Sequence, residues 1–244
     1  MSLSEKVIMT EISLPIIGYM RSPYKEKFGI PRQPNLVQVE SYIEMFEPYN
    51  DLLAFDGIEE FSHLWLVWQF HDNKNQQVSS KFRPQVRPPR LGGNQKIGVF
   101  ATRSMYRPSP LGLSVVRLKK VEKVGQSVRV YVIGSDLLDQ TPIVDIKPYI
   151  QYSDSVPEAI SGYAQHEPDR KTVIWSEQAK EKQEKLLQTA QLTLQVIEEL
   201  QQVLSLDPRP AYQKDEHRIY AMKFANLDVK FTVNVLQVEI VDLS

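Results

Sequence analysis

The 244-residue chain, with 42% hydrophobic and 24% charged side chains, has room for one large globular domain or a main domain with a smaller companion. Its formal net charge of −1 supplies no global field to recruit nucleic acid, so an RNA or DNA partner has to be met by a local basic patch. The absence of cysteine excludes a disulfide framework, zinc–thiolate and Fe–S centres and a cysteine nucleophile, and fits a reducing cytoplasm, while no apolar run is long enough for a membrane span or a signal-peptide core.

Taken in order, Ile16–Met20 reads as a first strand, followed by a polar loop with Pro23, Pro31 and Pro34. Val37–Phe46 alternates as a second strand. Phe61–Phe70, FSHLWLVWQF, is apolar at both phases, which predicts a central strand with His63, Trp65 and Trp68 packed inside and His71-Asp72 at its end. The stretch from Arg83 to Gly112 is the most distinctive. Arg83, Arg87 and Arg90 interleave with Pro84, Pro88 and Pro89, which predicts a stiff, exposed basic loop. Gly92-Gly93 allows a sharp turn, Ile97–Ala101 reads as a short buried strand, and Tyr106–Gly112 is a second rigid loop. Ser114–Val121 and Val128–Gly134 alternate as a hairpin around Gly125, and Pro142–Ile150 is a further extended segment. The first 150 residues therefore predict a mostly antiparallel barrel or sandwich, without the βα alternation of a doubly wound sheet.

After Tyr152 the composition shifts. Glu177–Leu204 is rich in Gln, Glu and Lys with apolar residues near helical spacing, and Ser176 suits its N-cap, predicting one long helix or two shorter ones. Asp207–Gln213 stops the helical run, and Arg218–Val241 alternates as two or three strands. We divide the chain into a barrel domain, 12–156, and a helix-plus-strands subdomain, 157–244.

Several chemistries compete for these residues. Neither GxGxxG nor GxxxxGK[ST] occurs in a strand-to-helix context, which argues against a Rossmann-type site. The four histidines are scattered, without HExxH spacing. Asp136, Asp139 and Asp145 could hold a hard cation, but a turn cap before Pro142 and an Asp145–Lys147 pair explain them better. No GxSxG elbow supports a hydrolase. Six arginines between positions 83 and 117, with Phe82 and Tyr106 nearby, combine phosphate-binding groups with stacking faces, as an RNA-binding surface requires.

The blocks RSPYKEKFGIPRQP, FSHLWLVWQFH, VRPPRLGGNQKIGVFATRSMYRPSPLGLS, GSDLLDQTPIVDIKPY and DPRPAYQ, in that order, resemble the TrmO/TsaA-like family of S-adenosylmethionine-dependent tRNA methyltransferases. The resemblance implies an antiparallel β-barrel-like core with a smaller C-terminal α+β subdomain. It implies a cytoplasmic homodimer that transfers the methyl of S-adenosylmethionine to N6 of threonylcarbamoyl-adenosine at position 37, in the anticodon loop of threonine tRNA, with no metal and no membrane. Carried over motif by motif, the cofactor contacts fall on Pro31, Arg32, Gln33, His71, Asp72, Arg103, Leu111 and the turn of Asp136, Leu137, Leu138 and Asp139. Asp145, Lys147 and Tyr149 become catalytic candidates. Arg87, Arg90, Arg107, Arg209 and Tyr212 become RNA contacts, with Tyr106 or Tyr212 as a stacking face. Arg103 suits the methionine carboxylate, Asp136, Asp139 or Tyr149 the sulfonium, the Leu111 and Leu137 backbones the adenine, and Asp145 or His71 a base. The rival reading is a non-enzymatic RNA-binding β-barrel module.

Overall fold

The structure, a computed structural model, describes residues 12–73, 82–210, 213 and 215–244. Its N-terminal part is a closed, wholly antiparallel six-stranded barrel. The strands are β1 (Gly18–Arg21), β2 (Glu40–Met45), β3 (His63–Gln69), β6 (Leu111–Val124), β7 (Ser127–Ile133) and β8 (Pro142–Pro148), in the spatial order β1-β2-β7-β6-β3-β8. Closure follows from β8 pairing back onto β1, with Gly18 opposite Ile143. Strict alternation fills the interior. Val128, Val130 and Val132 of β7 point in and are fully buried beside Ile43, Leu64, Leu66, Val116 and Ile143. Arg129 and Tyr131 occupy the opposite phase. A barrel of this size has just enough interior for its own side chains, so ligand space has to lie at its ends or outside.

The hairpin between β6 and β7 turns where the pattern places it, with Gly125 in the left-handed region at φ 63. β3 departs from its reading. Closure gives it an inner and an outer face, so Leu64, Leu66 and Trp68 are buried while His63, Trp65 and Val67 are only half-buried. His63 is therefore not a core histidine: its Nδ1 lies 2.8 Å from Ser62 Oγ, and its ring meets Tyr149 edge-on. Ile97–Ala101 is not a buried strand either. Only Ile97–Gly98 (β5) is extended, paired with Gln85–Val86 (β4) in a separate two-stranded ribbon, and the chain then coils through a 3₁₀ turn in which Val99 alone is buried. The Arg/Pro loop and the Gly92-Gly93 turn thus form a ribbon that stands off the barrel.

The C-terminal part is a four-stranded sheet in the order β10-β11-β12-β9. It comprises β9 (Thr172–Trp175), β10 (Tyr220–Phe224), β11 (Leu227–Val233) and β12 (Gln237–Leu243). β9 lies parallel to β12 and carries no strong alternation of its own in the sequence. The helical run breaks into α2 (Glu177–Gln188) and α3 (Leu194–Ser205) where Ala190 takes φ 56, and Ser176 caps α2 by accepting from Ala179 N–H. Leu200, Val203 and Leu204 of α3 bury against Phe224, Phe231, Val238 and Ile240. Tyr24, Val37 and Val39, from the loop between β1 and β2, enter this same core, so the loop joins the two parts into one packed body. Across the seam, Glu199 Oε1 accepts from Glu40 N–H at 3.0 Å, and Gln202 Oε1 accepts from Gln38 N–H at 2.7 Å.

Candidate active site at the barrel mouth

One end of the barrel, where β3 finishes, β6 begins and the 135–141 turn follows β7, opens into a cleft of about 630 Å³. Its walls come from three irregular segments and the strand ends. The 27–33 loop contributes Lys27, Pro31, Arg32 and Gln33, and the end of β3 contributes Phe70, His71 and Asp72. The 102–109 loop brings Thr102, Arg103, Met105 and Arg107, while Leu111, Gly112, Asp136 and Leu138 form the floor. The volume lies within the range of small-molecule sites, and the lining has the mixture of aromatic surface and a few convergent charges that such sites use.

Local bonds hold these segments in place. Arg103 Nη1 donates to Gln33 Oε1 at 2.5 Å, tying the second loop to the first. Arg107 Nη1 donates to the Thr102 carbonyl at 3.0 Å and closes its own loop. Lys27 reaches across to Asp72, with Nζ 3.3 Å from Oδ2. Beneath the floor, Trp68 Nε1–H donates to Ser114 Oγ at 3.0 Å, and Ser114 Oγ–H donates to Asp136 Oδ1 at 2.7 Å. Gly112 is a glycine because Trp68 leaves no alternative: a Cβ there would sit 2.2 Å from the indole.

The charges divide unevenly. Burial pushes the Asp136 carboxyl up to about 6, against the opposing pull of the Ser114 hydrogen bond and the Arg103 guanidinium. Desolvation at the rim lowers His71 from the ordinary imidazole range, against the pull of Asp72. Lys27, Arg32, Arg103 and Arg107 against Asp72 and Asp136 leave the lining with more positive than negative groups.

Most of the residues expected at a cofactor site meet here: Pro31, Arg32, Gln33, His71, Asp72, Arg103, Leu111, Asp136 and Leu138, with Arg107 added from the RNA set. Two do not. Leu137 is fully buried in the barrel core, outside the cleft lining, and its N–H donates to Ser135 Oγ. Asp139 turns away from the cleft, accepting from Ser22 N–H and pairing with Lys25 at 2.9 Å, which anchors the 135–141 turn to the first loop. Asp145, Lys147 and Tyr149 also lie elsewhere. Asp145 and Lys147 pair at 2.8 Å on the outer face of β8, and Tyr149 packs on His63 and Trp65. In the β3–β8 ladder Asp145 lies opposite Val67 and Lys147 opposite Trp65; Trp65 reaches the cleft wall, whereas Asp145 and Lys147 hold each other and stay out of its lining.

The basic ribbon projects from the rim. Arg87 and Arg90 are exposed, Arg83 lies over the Tyr106 ring, and Phe82 stacks on Phe100 with both rings largely open. Arg209 is turned inward: its guanidinium is held by both carboxylate oxygens of Asp207 at 2.9 Å and by the Val233 carbonyl, and its side chain is only 10% exposed. It lines a second cavity of about 540 Å³ behind the 27–32 loop, against the C-terminal part. Tyr212 lies outside the described residues. Ser114 was legible as a polar residue at the inward phase of an otherwise apolar strand, a signal the motif reading passes over.

Comparison with known proteins places the whole chain. Residues 19–155 match the family model described as the tRNA-methyltransferase O N-terminal domain, and residues 168–244 match the TrmO C-terminal domain. The chain is 44% identical over 230 residues to a tRNA (adenine(37)-N6)-methyltransferase of Escherichia coli (strain K12), spanning 92% of this chain and 94% of that protein. It is 45% identical over 219 residues to a putative S-adenosylmethionine-dependent methyltransferase of Pseudomonas aeruginosa, spanning 89% of this chain and 90% of that one. A crystal structure of TrmO from Pseudomonas aeruginosa superposes with a TM-score of 0.77 at 34% identity, covering 96% of this chain and 99% of that one.

Proposed function

The chain belongs to the tRNA-methyltransferase O family, and from that premise we propose that it methylates N6 of adenosine 37 in tRNA with S-adenosylmethionine as donor. The finer reading is that the base is threonylcarbamoyl-adenosine, in the anticodon loop of threonine tRNA, and that the enzyme acts as a cytoplasmic homodimer without a metal. The observation that carries the proposal is the cleft in which residues 31–33, 71–72, 103, 111, 136 and 138 converge.

The lining fits the donor. S-adenosylmethionine supplies a methyl group on a cationic sulfur, and it carries a carboxylate and a purine besides. Arg103, braced by Gln33, offers a guanidinium fork to the carboxylate. Asp136 offers the negative charge that favours a sulfonium, and Phe70 and Trp65 offer faces to the purine. Arg87 and Arg90, both exposed, and Arg107 of the cleft lining suit an anticodon loop, with Tyr106 as a stacking face. Residues 12–156 then carry the chemistry, and 157–244 brace the 27–36 loop from behind. The open apolar side chains Phe82, Phe100, Tyr152 and Ile160 supply surface for a second copy beside the ribbon.

The test is radiolabelled methyl transfer from S-adenosylmethionine to threonine tRNA bearing or lacking the threonylcarbamoyl group. Incorporation at N6 of adenosine 37 in the modified tRNA is expected. No incorporation into either tRNA, or tRNA binding without any thermal stabilisation by S-adenosylmethionine, overturns the reading.

A further inference from the structure

We propose that Asp136 accepts the proton released from the methylated nitrogen, and that Ser114 and Trp68 are positioning residues that aim and anchor its carboxylate. The inference rests on the methyltransferase reading above.

The chemistry sets the requirement. An exocyclic purine nitrogen shares its lone pair with the ring, so it becomes a good nucleophile only as its proton departs. As the N6–C bond forms and the C–S bond breaks, the sulfur keeps that bond's electron pair and becomes a neutral thioether. The N6 proton passes to a carboxylate oxygen of Asp136, which becomes a neutral acid. One positive and one negative charge vanish together. A site that disfavours buried charge therefore favours the step, so the desolvation that raises the proton affinity of Asp136 and the preference for charge loss act in the same direction.

The geometry selects Asp136 over its neighbours. Asp145 lies outside the cleft in an exposed pair with Lys147. Asp72 sits at the rim, engaged with Lys27. His71 lines the cleft but is exposed at its edge. Asp136 alone among these three carboxylates is held from beneath by a buried relay. Ser114 is 1% exposed and Trp68 8% exposed, and Gly112 is kept small so that the indole can lie there. A serine hydroxyl that receives the indole N–H has its own proton directed at Asp136 Oδ1, which fixes the carboxylate orientation without neutralising its charge. The remaining charged groups around it are Arg103 and Arg107 from the 102–109 loop, and Lys27 and Arg32 from the first loop. Tyr24, buried behind the turn, feels the Asp136 charge and is itself held well above its ordinary range by desolvation.

The test uses the full-length protein and two variants, Asp136→Asn and Ser114→Ala. In ligand-free protein carrying carboxyl-labelled aspartate, the NMR signal lost in Asp136→Asn is expected to titrate near pH 6, and to move upward in Ser114→Ala. Binding of S-adenosylhomocysteine and of tRNA stays within about threefold of wild type in both variants. Single-turnover methyl transfer falls by about 10²- to 10⁴-fold in Asp136→Asn, the range of a lost general base. In Ser114→Ala the acid limb of the rate profile follows the NMR titration to higher pH. Methyl transfer by Asp136→Asn within threefold of an active wild type overturns the proposal alone, as does an acid limb that disappears in His71→Ala. A wild type that methylates no tRNA removes the methyltransferase reading itself.

Discussion

The barrel mouth and the outer face of β8 each display an aspartate near a basic residue, drawn from one short stretch of sequence, yet the two carboxylates live under different physics. Asp136 sits at the cleft floor, bonded from below by a buried hydroxyl, and its proton affinity is raised by burial. Asp145 faces outward and pairs with Lys147, with their side chains 45% and 64% exposed. Water can solvate the second pair at any moment, so its mutual attraction is weak and screened by salt. What separates them is position: Asp136 sits in the turn after β7, over Ser114, and Asp145 on the outer phase of β8. The comparison teaches that a carboxylate's role here is set by which side of a strand or turn it leaves.

The sharpest way to break this contrast is at the mouth. Arg103→Ala removes the guanidinium that reaches Gln33 and lines the cleft. Hydrogen bonds to charged groups contribute about 1.5–3 kcal/mol, so affinity for S-adenosylmethionine is expected to fall by about ten- to a hundredfold in calorimetry, with tRNA affinity largely kept. Equal losses of both affinities would mean that the cleft does not separate donor from RNA. Gly112→Ala attacks the floor instead. Its Cβ would lie 2.2 Å from the Trp68 ring, and overpacking of this kind costs about 1–3 kcal/mol, read as a lower urea midpoint at unchanged slope.

Much of this was legible in the residues, and the failures share a cause. The hairpin around Gly125, the Ser176 cap and the absence of βα alternation were readable because they are local: a left-handed turn, a side-chain oxygen and a period of two. The convergence of Pro31, Arg103 and Asp136 was legible only through motif resemblance, since nothing local links segments so far apart in sequence. The apolar phases of FSHLWLVWQF suggested burial on both faces, but closure puts Trp65 on the outer phase, half-buried, where it lines the cleft wall and its N–H reaches Asp154. VDIKPY adjoins the cleft segment in sequence, but Asp145 and Lys147 pair with each other and stay out of the cleft lining. Arg209 read as an RNA contact through the resemblance of its DPRPAYQ block, whereas Asp207, two positions earlier, holds its guanidinium.

A third carboxylate sharpens the contrast, because it is buried without being at the mouth. Glu199 is 6% exposed on α3, where it accepts from Glu40 N–H and from Gln195 Nε2. Burial raises its proton affinity against those hydrogen bonds. With the folded value above the unfolded one, the native state binds more protons in the window between them. Its contribution is therefore fully present below the unfolded pKa and is lost as pH rises through the folded one. Glu199→Gln keeps an acceptor for Glu40 N–H and is expected to flatten that part of the fall in urea-midpoint stability. Glu199→Ala leaves the N–H without its acceptor and costs about 1 kcal/mol at any pH. Neither variant should alter the pH dependence of methyl transfer, which separates a carboxylate of the seam from the one in the cleft.

The smallest expected effect decides the comparison most directly. Asp145→Asn deletes one partner of the exposed pair with Lys147, and such pairs contribute about 0–1 kcal/mol. Asp145 Oδ1 also accepts from the N–H of Ile146 at 2.9 Å, a bond the amide oxygen of asparagine can keep. The urea midpoint should therefore move barely, and move less at high salt, where the pair is screened. Methyl transfer should stay within about twofold of wild type, because a change below about 0.4 kcal/mol is no more than a factor of two. A hundredfold loss of turnover in Asp145→Asn, with donor binding intact, would place the proton chemistry on the outer face of β8. The cleft would then be a binding site only, and the assignment of roles to the two aspartates would have to be exchanged.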